Sequence, residues 1–501
     1  MTIYKTLLLI CLIFSINAQA GFLQELEKDY TKAVYNLQEK AQKKEISLQE
    51  IENAFLKVQK ELNSYCYQGH TNTKNAICHL LRGIDPEIAT DVSILIDKLS
   101  YLLGDLEIYY HDIQHSLEVT LATTQIMTQA FKNKEVKDPK SILLTVTAAL
   151  FHDVGYSNNK EILSFITSLE KRKYESLFTE AKSKKFSEDF STLVNIIEQG
   201  TLVTGAEFHL YHVFLGQITL AYILDSLKND LIHGKFLLEK PSLDSINAMI
   251  CLTDIRGDTS TYREKAKLHL EKTGLFFHGE ALRTSDLLTQ MATRDRLAKT
   301  LPLYHEFVLG NDAYFWSSGL ALLATTTEFY ENFAKKQFSD KALSLLNEHF
   351  SSTNPYQKTL PLVFFLHKAF ELPYKKLLEG DPITEIDIAF LEGLEKNGLP
   401  IEVVQLFQAT KSVREGKPIP SQILTPLQNV LAVKDSVLEI SLGDHIRVTL
   451  LQDALIHQKV DLTRELLQKN TFRKIEVLSS RTKDWEFIQK HSSQKQKSVS
   501  D

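Results

Sequence analysis

The sequence predicts an all-α protein, and three observations predict it. Only 19 glycines and 12 prolines punctuate 501 residues, too few breakers for a chain built of short strands and turns. Apolar residues recur at helical spacing over most of the length. One stretch, Leu143, Leu144, Val146, Ala148, Ala149, Leu150 and Phe151, is apolar nearly all round, as a buried helix is. The length admits two or three domains, or one large helical domain with appendages. A formal charge of −6 argues against broad binding of nucleic-acid duplexes, which needs a basic surface.

Residues 1–20 read as a signal peptide. Lys5 precedes an apolar run from Leu7 to Ile16, and Ala18-Gln19-Ala20 offers small residues where a signal peptidase reads them. Cleavage after Ala20 would deliver the chain to the periplasm or the exterior; an uncleaved anchor is the alternative. No later stretch reaches about 18 uncharged apolar residues, so no permanent membrane span is expected after cleavage. Three cysteines then remain, Cys66, Cys78 and Cys251. Cys66 and Cys78 bracket a polar loop and either pair or stay reduced, while Cys251 reads as a buried thiol.

Residues 21–90 form an N-terminal helical arm. Leu26, Tyr30, Ala33 and Leu37 share one helical face, and Leu48, Ile51, Phe55 and Val58 repeat the pattern after a charged break near Lys43. A hairpin packed on the main body is expected, with a dimerising coiled coil as the alternative. Between 91 and 334 helix follows helix with short breaks. Residues 335–489 read as a mostly helical extension, in which Glu415 to Pro426, with its three prolines, is a linker. Val437–Leu442 and His445–Leu450 alternate around Gly443-Asp444, which predicts a small β-hairpin, and a last helix is expected from about Leu455. The polar tail 490–501 is expected to be disordered.

Chemistry concentrates in two clusters, Tyr110 to His115 and His152-Asp153. His111 and His115, four residues apart, project from one face of a helix. His152 follows His115 by 37 residues, the length of a helix, a turn and a returning helix, so an antiparallel pair would bring them together. Imidazole and carboxylate ligands suit Zn²⁺, Fe or Mn²⁺. A buried helix ending in two ionisable groups is costly unless they are paired or bound to metal. Gly155 would then let the chain leave the helix end.

At these residues the chain resembles a known family. The run Tyr110–His115 resembles the YHNxxH signature of class I cyclic-nucleotide phosphodiesterase catalytic domains, within the HD superfamily of metal-dependent phosphohydrolases. AALFHDVGY, from Ala148 to Tyr156, is similar to the segment carrying that superfamily's His-Asp pair. Leu252-Thr253-Asp254 and Ser285-Asp286-Leu287 resemble its later ATD and ADL segments, in the right order. The resemblance spans roughly residues 91 to 330 and implies an HD/PDEase-like helical bundle.

It further implies that His115, His152, Asp153 and Asp286 hold one tightly bound ion (Zn, Fe or Mn), with Asp153 bridging to a second (Mg or Mn). His111 would be the general acid. Asp112 stands where the family has Asn, and a neighbouring carboxylate would raise the imidazole's pKa. The stretch HLYHVFLG is comparable to the family's ENHH segment, which makes His209 and His212 candidates for the second ion, with Glu207 as an alternative polar ligand. Asp254 falls just outside the ligand set.

The resemblance thus implies two-ion activation of water for attack on phosphorus, with a nucleotide phosphodiester as the expected substrate. A phosphomonoesterase on the same scaffold, or a silent metal-containing binding module, is the alternative. The base-selecting glutamine and aromatic clamp of the cyclic-nucleotide enzymes have no counterpart in the matching motifs. The aromatic run Tyr314, Phe315 and Trp316 would either stack a nucleobase or pack in the core.

Overall fold

A computed structural model describes residues 22–23, 25–65, 70–103, 110–168, 194, 197–198, 208–209, 211–254, 260–310, 316–350 and 354–456. Among them there are helices and no strands. In chain order the helices are α1 Tyr30–Gln42, α2 Leu48–Tyr65, α3 His70–Arg82, α4 Pro86–Leu103, α5 Ile113–Lys132, α6 Pro139–Phe151 and α7 Lys160–Ser168. Next come α8 His212–Leu227, α9 Gly234–Leu238, α10 Lys240–Thr253, α11 Ser260–Thr273, α12 Phe276–Ala292 and α13 Arg296–Leu309. The last are α14 Gly319–Asn332, α15 Asp340–Phe350, α16 Pro355–Glu379, α17 Glu385–Glu395, α18 Ile401–Arg414, α19 Ser421–Ala432 and α20 Val437–Ile456. No helix of the described residues is long and apolar enough to cross a membrane.

Two apolar cores organise these helices. The first is drawn from α3 to α12 together with α15, and the second from α1, α2, α13, α14 and α16 to α20. Helix α5 is the axis of the first core, packing against α3, α6, α12 and α15. Two of its buried hydroxyls are satisfied within the helix: Thr120 donates to the Ser116 carbonyl and Thr124 to that of Thr120, each at 2.7 Å. Asp91 on α4 is wholly buried and accepts from the Ile232 and His233 amides and from His233 Nδ1, at 2.7, 2.9 and 2.8 Å. It ties the turn before α9 to the first core.

The N-terminal hairpin packs on α16 and α17, so it belongs to the core built by the C-terminal helices. Coverage of its apolar face by Phe365, Phe390 and their neighbours explains why Leu26, Val34, Ile51 and Phe55 are shut from solvent.

Two expectations for the C-terminal part are corrected. The β-hairpin at Val437–Leu450 is absent: both segments lie in the single helix α20. Leu442, Ile446 and Leu450 recur every four residues and are buried against α13 and α18, so helical packing overrides local alternation. Gly443-Asp444 lies inside the helix, where Asp444 pairs with Arg447 at 3.1 Å. The linker shrinks to the stretch before Ser421, because α19 starts there and absorbs Pro426. The last helix expected from about Leu455 lies outside the described residues, which end at 456. The signal peptide, Cys66, Glu207, Tyr314, Phe315 and the tail 490–501 lie outside the described residues. Cys78 and Cys251 are buried; Cys251 Sγ accepts from Gln217 Nε2 at 2.8 Å, and burial pushes the Cys78 thiol up.

Burial also sets an acid limit on the fold. Desolvation pulls the imidazoles of His278, His367 and His445 down to about 4, 3 and 4. The unfolded chain, with histidines near 6.5, then binds more protons than the folded one, so these residues leave stability unchanged above pH 7 and remove it below about 6.5. Each contributes a loss of about 1.4 kcal/mol per pH unit down to its folded value. The thermal midpoint is expected to drop between pH 6.5 and 4, and more shallowly in His367→Leu. An equal slope in that variant would show that His367 is not one of the groups responsible.

Candidate metal centre

The centre forms where α5, α6, α8 and α12 meet. Asp112 caps α5, its carboxylate accepting from the His115 amide at 2.8 Å, which starts the helix so that His115 faces inward. Asp138 caps α6 with Pro139 in its first turn, and the buried helix ends at His152. Asp153 opens a 3₁₀ turn, Val154–Tyr156. Gly155 serves close approach here rather than a left-handed backbone: a Cβ on it would lie 1.8 Å from the His212 carbonyl oxygen and 2.7 Å from the Gly216 nitrogen. Its lack of a side chain lets the start of α8 rest on the turn.

His115, His152 and Asp286 each present one ligand atom within 4.8 Å of the others, all three residues buried. His115 Nε2 stands 3.3 Å from Asp286 Oδ1 and 3.5 Å from Asp153 Oδ2. His152 Nε2 stands 3.7 and 3.1 Å from the same two oxygens. Atoms held about 2.0–2.1 Å from a tetrahedral Zn²⁺ would be about 3.3 Å apart, so the spacing fits an ion at their centre.

The bonding pattern fits as well. His152 Nδ1–H donates to the Ala149 carbonyl at 2.8 Å, which turns the Nε2 lone pair toward the carboxylates. Yet His115 Nε2, His152 Nε2 and Asp153 Oδ2 are buried with no hydrogen-bond partner. Acceptors facing acceptors repel unless a proton or a metal ion lies between them. The electrostatics agree: burial opposes charge on His152, but Asp153 and Asp286 outweigh it and hold the imidazole well above its ordinary value. Burial also works against both carboxylates, and the surrounding histidines nonetheless keep Asp153 and Asp286 below the usual range.

Beside this group lie the other histidines. His212 Nε2 is 4.0 Å from Asp153 Oδ1, and its Nδ1–H donates to the His209 carbonyl at 2.5 Å. His209 Nδ1 is hydrogen-bonded to the Tyr156 hydroxyl at 2.6 Å. His111 lies apart from the ligand set: its Nδ1–H donates to Glu306 Oε2 at 2.6 Å, and Glu306 Oε1 accepts from the Tyr110 amide at 2.6 Å. Burial draws His111 down, but Glu306 and then Asp153 overcome this and leave it raised.

The expected agent of that shift, Asp112, is therefore replaced by Glu306. Asp112 is occupied as the α5 cap and lies 3.8 Å from Lys299 Nζ. Asp254 ends α10, buried, with its carbonyl accepting from Arg263 at 3.1 Å; it is not among the clustered ligand atoms. Trp316 stacks on Phe307 at 5.3 Å, and Phe307 meets the edge of His209 at 5.1 Å.

Sequence reasoning missed Glu306, Tyr156 and Phe307. Glu306 left one trace, as the lone acid in the apolar and aromatic run Leu301–Leu309. It sits on α13, in the second core, so the environment of His111 combines both halves of the molecule. Comparisons of the chain with the models of known protein families, with curated proteins and with solved structures found no match.

Proposed function

We propose that the protein is a metal-dependent phosphohydrolase of the HD type, exported, and acting on the phosphodiester of a nucleotide. The observation that carries this reading is the convergence of two unpartnered imidazole nitrogens and two carboxylates on one buried point. His115, His152, Asp153 and Asp286 would hold the tight ion, and His209 and His212, with Asp153, the second. When bound, divalent ions supply a water activated near neutral pH and neutralise phosphoryl oxygens.

The protein's own groups supply the rest. Glu306 accepts from His111 Nδ1–H, so the second proton of the imidazolium sits on Nε2, and the raised pKa of His111 favours that protonated form. His111 would deliver it to the departing oxygen. Burial keeps bulk water from competing for these contacts.

The test starts from the purified mature chain: elemental analysis, chelation, then Mn²⁺ with bis(p-nitrophenyl) phosphate or p-nitrophenyl phosphate. Bound metal and Mn²⁺-restored cleavage of the diester are expected. Turnover of the monoester alone would replace the reading by a phosphomonoesterase. Metal with neither activity would leave a silent binding module.

A further inference from the structure

One side chain touches three of the histidines named above. Tyr156 is wholly buried, and its ring lies face to face with His111, 4.4 Å between centroids and 7° between planes. It also stacks with His212 at 4.6 Å and 20°. Its hydroxyl holds His209 Nδ1 at 2.6 Å. One side chain thus touches His111 and both histidines of the pair His209 and His212.

We propose that Tyr156 is the positioning residue shared by both parts of the site, its ring fixing the plane of His111 and its hydroxyl fixing His209. The inference rests on the reading above and assigns the residue a task within it. Glu306 grips His111 at the Nδ1 edge, which leaves rotation about that bond; a parallel ring in contact with the imidazole face removes this freedom. In the tautomer whose His209 Nδ1–H donates to the phenol oxygen, Nε2 carries the lone pair an ion would need, the way outer partners orient ligand imidazoles generally.

Two substitutions separate the two tasks. Tyr156→Phe keeps the ring and removes the hydroxyl. It should weaken the second Mn²⁺ by about 10- to 100-fold in a calorimetric titration of the protein, with the tight ion retained and much of the lost diesterase rate recovered at high Mn²⁺. Tyr156→Leu removes the ring as well, and its kcat should stay about 100-fold down at saturating Mn²⁺, since displacement of a catalytic group by about 1 Å costs that much.

A merely structural tyrosine would lower the thermal midpoint in both variants and leave the second Mn²⁺ affinity of the folded protein unchanged; that result overturns the inference. Equal, Mn²⁺-insensitive loss of kcat in both variants also overturns it, because the ring and hydroxyl would then have no separate tasks. A wild-type chain that binds only one ion fails earlier, overturning the two-ion reading and this inference with it.

Discussion

His111→Ala should lower phosphodiesterase turnover by about 10² to 10⁴ while the protein keeps its tightly bound ion. The two halves of this result have separate causes. His111 is held by Glu306 and stacked on Tyr156, and none of the clustered ligand atoms comes from it. Removing it takes away a proton donor, whereas His115→Ala or Asp153→Asn would remove ligands and should empty the site. Metal analysis and kcat measured on the same preparation check this; metal lost from His111→Ala would return the residue to the ligand set. The role of Glu306 gives a companion expectation. Because its charge is the largest influence raising His111 against the opposing effect of burial, Glu306→Gln should move the alkaline limb of the rate profile to lower pH.

Gly155→Ala should be the most damaging single methyl in the molecule's centre. The added carbon would sit 1.8 Å from a backbone oxygen and 2.6 Å from the carbonyl carbon of His212, with Gly216 nitrogen 2.7 Å away. None of these atoms belongs to a side chain that can swing aside, so the turn and α8 must separate. A cost of about 3 kcal/mol or more is expected, as for other overpacked sites without slack. The separation would also carry His212 away from Asp153. A folded variant should therefore have a lower thermal midpoint and weakened binding of the second ion. A midpoint and Mn²⁺ affinity like those of the wild type would show that the turn and α8 do not rest on each other at Gly155. Gly216→Ala is the control, since a Cβ there meets only ordinary contacts of 3.5 Å.

The contrast between these two residues bears on how much could be read from the chain. His111, His115, His152 and Asp153 announced themselves because imidazoles and carboxylates at helical spacing within apolar surroundings are costly without a partner, whereas Asp286 was named only through the family resemblance. Gly155 was legible as a glycine at a helix end, but the reason for it was not, since the crowding atoms belong to residues more than fifty positions away. Glu306 was read as part of a helical stretch, and nothing local shows that it reaches back 195 residues to His111. Val437–Leu450 misled outright, because Leu442, Ile446 and Leu450 satisfy a helical as well as an alternating pattern, and contact with α13 and α18 selects the helix.

By itself, then, the sequence determined the helical class, the buried character of α6, and His115, His152 and Asp153 as candidate ligands. These follow from periodicity and from the energetics of burying charge, both of which act over a turn or two of helix. Tertiary structure alone decided that α1 and α2 join the C-terminal core, that Glu306 rather than Asp112 raises His111, and that Tyr156 stacks on both His111 and His212. Each is a contact between residues far apart in the chain, fixed by how apolar faces are covered, and no local pattern encodes which distant face does the covering.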